Sequence, residues 1–169
     1  MITSFKLLKG ILSLALFFSI CLWLIFLFIL GGIILGYGGT FGLENILEDF
    51  ELNSKTTRIV LTTYLLGGYA VIIYVVYILR KLVVSLNTGR LFTKFQSAGF
   101  NLIGQIIIWL VVISSISDFI LKLILNSRFE VKASFPDFWL FLAVGSFFIA
   151  LGQVFEKARL IREENELTV

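Results

Sequence analysis

The chain has 169 residues, 59% of them hydrophobic and only 15% charged, with a net charge of +3 and a mean hydropathy of +1.01. A soluble domain is typically about 45–50% apolar and about 25% charged, so a water-soluble globular core is excluded and lipid is the expected solvent for most of the chain. The chain has one cysteine and no histidine. It therefore offers no intrachain disulfide or thiolate metal cluster, and it lacks the commonest general base and metal ligand.

Charge placement sharpens this reading. No Asp, Glu, Lys or Arg occurs between Lys9 and Glu44, Arg58 and Arg80, Lys94 and Asp118, or Asp137 and Glu156, which leaves charge-free windows of 34, 21, 23 and 18 residues. A helix needs roughly 20 apolar residues to cross about 30 Å of hydrocarbon. Strands of a membrane barrel would alternate polar and apolar residues over about ten positions, and these windows do not. Backbone groups in lipid must pair internally, so the windows predict helices. The expected fold is an all-α integral membrane four-helix bundle forming a single domain over residues 1–169.

The first predicted helix covers 4–36. Its apolar run is too long for a signal peptide and carries no A-x-A site, so it reads as a retained span. It closes on "GGIILGYGGTFG", where Gly32 and Gly36 form a small-xxx-small pair that can either seat a neighbouring helix or serve as a flexible exit from the membrane. In "LENILEDFEL", residues 43–52, the apolar positions Leu43, Ile46, Leu47 and Phe50 share one helical face, which predicts a short amphipathic helix on the outer surface. Its acids Glu44 and Glu48 supply too few oxygens for a calcium site, and no metal or other cofactor is expected.

The second helix covers 57–86. Asn87, Thr88 and Gly89 form a stop signal, with Gly89 suited to a left-handed cap. Thr93 and Gln96 have the spacing of a capping box for the third helix, 93–125, and Leu91 and Phe92 are expected to tuck back into the bundle. Residues 128–135, "RFEVKASF", show some strand alternation in the following loop. Pro136 suits the first turn of the fourth helix, 136–162. Beyond it, Glu156 with Arg159, Arg159 with Glu163, and Arg162 with Glu166 are spaced one turn apart. They predict that the helix continues as a solvated rod into the tail 156–169.

Orientation follows from the basic residues. With both termini and the second loop on one side, that side holds nine Lys/Arg and the other holds five. The positive-inside rule then places both termini in the cytoplasm.

The stretches "LNTGRLFTKFQSAGFNLIGQ" and "GQVFEKARLIREENELTV" resemble a family of bacterial membrane proteins, domain of unknown function 2975. The similarity covers mainly 80–169. It rests on an inner turn of N-x-G-x-x-F type, here Asn87, Gly89 and Phe92, and on a tail matched by Glu163, Glu164, Asn165, Glu166, Leu167, Thr168 and Val169. The resemblance implies a bacterial inner-membrane protein with no established activity, often encoded beside a small Cro/CI-type helix-turn-helix regulator. That implication is analogy, since a fold does not fix a function.

No nucleotide-binding, zincin or nucleophile-elbow motif occurs, and no positioned base accompanies Ser4–Lys9 or Ser115–Lys122, so catalysis is not expected. Direct nucleic-acid binding is not expected either, because the basic cluster lies where anionic lipid headgroups compete for it. The candidate partner-binding surface consists of Arg80, Lys81, Arg90, Lys94, Arg159, Arg162, Glu163, Glu164, Glu166, Leu167 and Val169. It is read as holding a soluble cytoplasmic protein, a helix-turn-helix regulator in the first instance. The intramembrane polar residues Asn101, Gln105 and Gln153 support a rival reading as a small pore, transport subunit or peptide-resistance (immunity) protein, and they are compatible with a homo-oligomer.

The orientation is testable. A fluorescent protein fused after Val169 should fold and fluoresce in intact cells, while alkaline phosphatase at the same position should stay inactive. Active phosphatase there would reverse the assignment.

Overall fold

A computed structural model describes residues 2–37, 54–87, 91–126 and 135–167. Four helices are present: α1 (Ile2–Leu35), α2 (Lys55–Asn87), α3 (Lys94–Asn126) and α4 (Phe135–Leu167). All four are long and apolar enough to cross a membrane, and no strand occurs among the described residues. At 1.5 Å per residue, 33 residues in each of α2, α3 and α4 give about 50 Å, which exceeds the hydrocarbon thickness by several turns. The amphipathic helix expected at 43–52 and the strand-like stretch 128–135 fall almost wholly outside the described residues.

The helix ends are set by local chemistry. α1 stops at Gly36, which takes φ 88°. There the Tyr37 N–H donates to the Gly32 carbonyl at 3.0 Å and the Gly36 N–H to the Ile33 carbonyl at 3.2 Å. This is a Schellman cap, and its left-handed residue favours glycine. Gly36 therefore ends the helix instead of seating a neighbour, and the space around it is open. Ser54 caps α2, accepting from the Thr56 N–H at 3.3 Å. Thr93 and Gln96 form the reciprocal capping box of α3. The Gln96 N–H donates to Thr93 Oγ1 at 3.3 Å, and the Thr93 N–H donates to Gln96 Oε1 at 3.1 Å.

Packing is sequential. α1 lies on α2, α2 on α3 and α3 on α4, and among the described residues no other pair of helices meets. The bundle is therefore open, with α1 and α4 at its two edges. In lipid no hydrophobic force closes it, because hydrocarbon tails are as apolar as the side chains. Large apolar groups line the edges accordingly, with Phe28 on α1 79% exposed and Trp139 on α4 62% exposed.

Different forces hold the two hairpins. Along α1–α2 three hydrogen bonds are spread over the length: Arg80 Nε to Ser13 Oγ at 3.0 Å, Trp23 Nε1 to the Leu66 carbonyl at 3.1 Å, and Lys55 Nζ to the Ile34 carbonyl at 3.0 Å. The last places a cation on the carbonyl end of α1, where the helix dipole favours it. A cluster of Phe26, Ile33 and Leu61 fills the half of this hairpin near its loop.

Along α3–α4 the backbones themselves touch. A Cβ added to Gly104 would strike the carbonyl oxygen of Gly145 and come within 2.8 Å of the Ile149 nitrogen. One added to Gly152 would lie 2.9 Å from the Asn101 nitrogen and 3.0 Å from the Ser97 oxygen. A small-residue seat thus lies at Gly104, Gly145 and Gly152, whereas Gly36 has no neighbour within 4 Å.

The two hairpins join along a thinner α2–α3 seam. Leu82 fills the space above Gly99 there, and Gln96 Nε2 donates to Ser85 Oγ at 3.0 Å.

Gly104→Ala should destabilise the folded protein by about 1–3 kcal/mol, the usual penalty for overpacking a tight contact. Gly67 has nothing within 4 Å, so Gly67→Ala should be neutral or stabilising by up to about 1 kcal/mol. Denaturant titration in detergent micelles checks both, and equal effects would discount the α3–α4 contact.

Candidate functional site

Both the turn between α2 and α3 and the C-terminal end of α4 lie at one end of the bundle, called here the tail end. The site is the joint between them. Counting from Pro136, twenty residues carry α4 to Phe155, about the length a helix needs to cross the hydrocarbon, and the charged stem begins at Glu156. Beyond that point the expected ladder of charges is in place. Arg159 Nη2 lies 2.6 Å from Glu156 Oε1, Arg159 Nη1 lies 2.6 Å from Glu163 Oε1, and Arg162 Nε lies 2.7 Å from Glu166 Oε1. Exposed pairs of this kind contribute roughly 0.2–0.5 kcal/mol each. Together they keep α4 helical through Leu167.

The ladder is tied back to α3. Ser97, near the start of that helix, hydrogen-bonds the Glu156 carboxylate, and Lys94 adds positive charge beside it. The Arg159 guanidinium first, then the Ser97 hydroxyl, hold the Glu156 carboxyl below its ordinary value of 4.5. The hydrogen bonds that Arg159 donates to Glu156 raise its pKa, with a smaller contribution from the one to Glu163, so Arg159 stays charged.

The turn reaches the stem through Phe92. This residue takes φ 59°, the left-handed region that non-glycine residues seldom enter. Its ring packs on Phe155 at 5.3 Å between centroids, and Phe155 in turn packs on Phe100 at 5.0 Å. This packing holds the unusual backbone in place. Leu91, expected to tuck in with Phe92, is instead 45% exposed, because only one of the two adjacent side chains can point into the bundle. Its carbonyl accepts a hydrogen bond from Arg162 Nη1 at 3.4 Å. Phe92, Ala158, Ile161, Arg162, Asn165 and Glu166 line an open groove of about 570 Å³ with apolar walls.

The remaining residues of the candidate surface divide between this joint and other places. Arg80 is half-buried and committed to Ser13 of α1, which makes it a strut between helices. Lys81 is exposed, with its ammonium 4.7 Å from the centre of the Tyr77 ring, a cation–π contact. Lys94 is exposed at the first position of α3, and Glu163, Glu164 and Glu166 are exposed on the stem. Leu167 is the last helical residue. Gly89, Arg90 and Val169 lie outside the described residues. Among the described residues no cluster of three or more metal-ligating side chains occurs.

Sequence reasoning missed the Ser97–Glu156 bond, the Gln96–Ser85 bond and the backbone of Phe92. The two bonds depend on which helix faces which, and no local signal carries that. The third has a local hint, since an N-x-G-x-x-F turn must bend sharply within a few residues.

Four helices long and apolar enough to span a membrane, the last ending in an ion-paired stem, define a multi-pass helical membrane protein. The chain belongs to a family of proteins of unknown function, DUF2975, whose profile matches residues 45–169. The match begins well before the stretch 80–169 that carries the sequence resemblance, so it takes in all of α2. No curated protein and no solved structure matches the chain.

A carboxyl with a depressed folded pKa adds stability above its unfolded value and loses it as the pH falls through the folded one. For Glu156 that contribution is complete above 4.5 and lost below it. Arg159→Ala should therefore move the titration midpoint of Glu156 upward, toward the ordinary carboxyl range. NMR of side-chain-labelled protein in micelles reads this directly, and an unmoved midpoint would remove the ladder from the description of the stem.

Proposed function

We propose that this protein is a non-catalytic regulator embedded in the bacterial inner membrane. Its cytoplasmic face and C-terminal stem bind and hold a soluble protein. The observation that carries this reading is the stem itself. It is a helix that outlasts the hydrocarbon, is stiffened by an ion-pair ladder and borders an apolar groove at Phe92. A mere stop-transfer tail needs neither the ladder nor the groove. The positive-inside distribution supports a cytoplasmic location for this end.

The chemistry of the stem favours a basic partner. Glu163, Glu164 and Glu166 are exposed there, and Ile161 is 58% exposed beside them. An exposed apolar side chain on a stem that carries three exposed acids suits the DNA-binding face of a helix-turn-helix regulator, which carries Lys and Arg for phosphates. Holding that face at the membrane keeps it off DNA. The regulator class comes from the family resemblance, while the charge complementarity comes from this chain. A pore or transport role has less support, because no Asp, Glu, Lys, Arg or His lies within any of the four charge-free windows.

Detergent pulldown of the full chain and of a chain lacking 163–169 tests the reading. A soluble protein should be recovered with the full chain and lost with the truncated one. Recovery that does not depend on the tail would overturn the proposal.

A further inference from the structure

We propose that the face of the α3–α4 pair turned away from α2 is a self-association surface, where a second copy of this chain docks across the uncharged amides of Asn101, Gln105 and Gln153. This inference is independent of the proposed function, because it uses neither the stem nor the groove.

The three amides share one face. The glycine contacts fix the register of α3 against α4, with Gly152 beside Asn101 and Gly145 beside Gly104. Phe148, Leu151 and Phe155 of α4 pack against the cluster that Phe100 and Ile103 of α3 form with Ile78 and Leu82 of α2, and Gly99 of α3 meets Leu82. At 100° per residue, Gln153 and Ser146 point to the opposite side of α4. By the same count Asn101 and Gln105 point to that side of α3. All four of these residues are exposed.

Depth makes this exposure costly. The charge-free window of α3 runs from Phe95 to Ser117, which puts Gln105 next to its midpoint. That of α4 runs from Phe138 to Phe155, with Ser146 near its midpoint and Gln153 toward the tail end. Lipid tails cannot hydrogen-bond an amide. Within the chain, Gln105 Nε2 donates to Asn101 Oδ1 at a long 3.4 Å. Among the described residues no other hydrogen bond involves these three side chains. The Asn101 amino group, the Gln105 carbonyl and the whole Gln153 amide thus remain available to a partner.

A second copy fits what remains. Each amide is both donor and acceptor, so the patch complements itself and brings no like charges together. Copies inserted in the same orientation hold these residues at equal depth. A two-fold axis along the membrane normal therefore sets amide against amide, as an isologous interface requires. Polar side chains join membrane helices in this way.

Cysteine cross-linking in native membranes tests the proposal, in a Cys21→Ser background. Gln105→Cys should yield an oxidised species of twice the chain mass. Phe147→Cys lies at similar depth on the other side of α4 and should not. Single-molecule photobleaching of labelled full chain in phosphatidylethanolamine–phosphatidylglycerol vesicles gives a second readout. The parent should bleach in two steps. Combined Asn101→Leu, Gln105→Leu and Gln153→Leu should weaken association by about tenfold or more. Equal cross-linking at both cysteines, a cross-linked species of any other mass, or single-step bleaching of the parent would overturn the inference.

Discussion

The structure depends on the direct backbone contact between α3 and α4. Hydrophobicity brings helices into a membrane but does not hold them together there, because lipid solvates Leu and Phe as well as a neighbouring helix does. Close approach is what remains. At Gly104, Gly145 and Gly152 the helices come so near that no side chain fits between them. Dispersion contacts along such a seam are individually small and collectively large.

That contact fixes a register, and the register assembles the tail end. It sets Ser97 against Glu156, Phe100 against Phe155 and the Leu91 carbonyl within reach of Arg162. The stem is therefore not a loose extension of α4. It is clamped at its base by α3 and steadied above by the turn through Phe92. The α1–α2 hairpin uses another device, spaced hydrogen bonds from Trp23, Lys55 and Arg80 to α1–α2 backbone or hydroxyl partners. Each device suits its helices. α1 meets α2 through larger side chains that can bond across, whereas α3 and α4 present glycines.

Local features of the site were legible in the sequence because their physics is local. The Thr93–Gln96 capping box and the three ion pairs of the stem lie three or four residues apart, where a helix brings side chains together by its own geometry. Arg80 reads in sequence as part of an exposed basic cluster, and only the position of Ser13 on another helix makes it a strut. The Gly32/Gly36 pair has the better-known small-residue spacing, yet it serves as a helix end. The glycines that seat a helix are divided between α3 and α4, and neither segment reveals that it faces the other.

Charge spacing and apolar length alone determined four membrane spans, their approximate ends and a helical stem beyond the last, because burial in lipid and one-turn ion pairing act along a single segment. Tertiary structure alone decided that the bundle stays open and that the glycine seam runs between α3 and α4. It likewise placed Asn101, Gln105 and Gln153 together on an outward face. These outcomes depend on which sides of two helices meet, and that choice is made by shape and hydrogen bonding across a gap that no stretch of sequence spans.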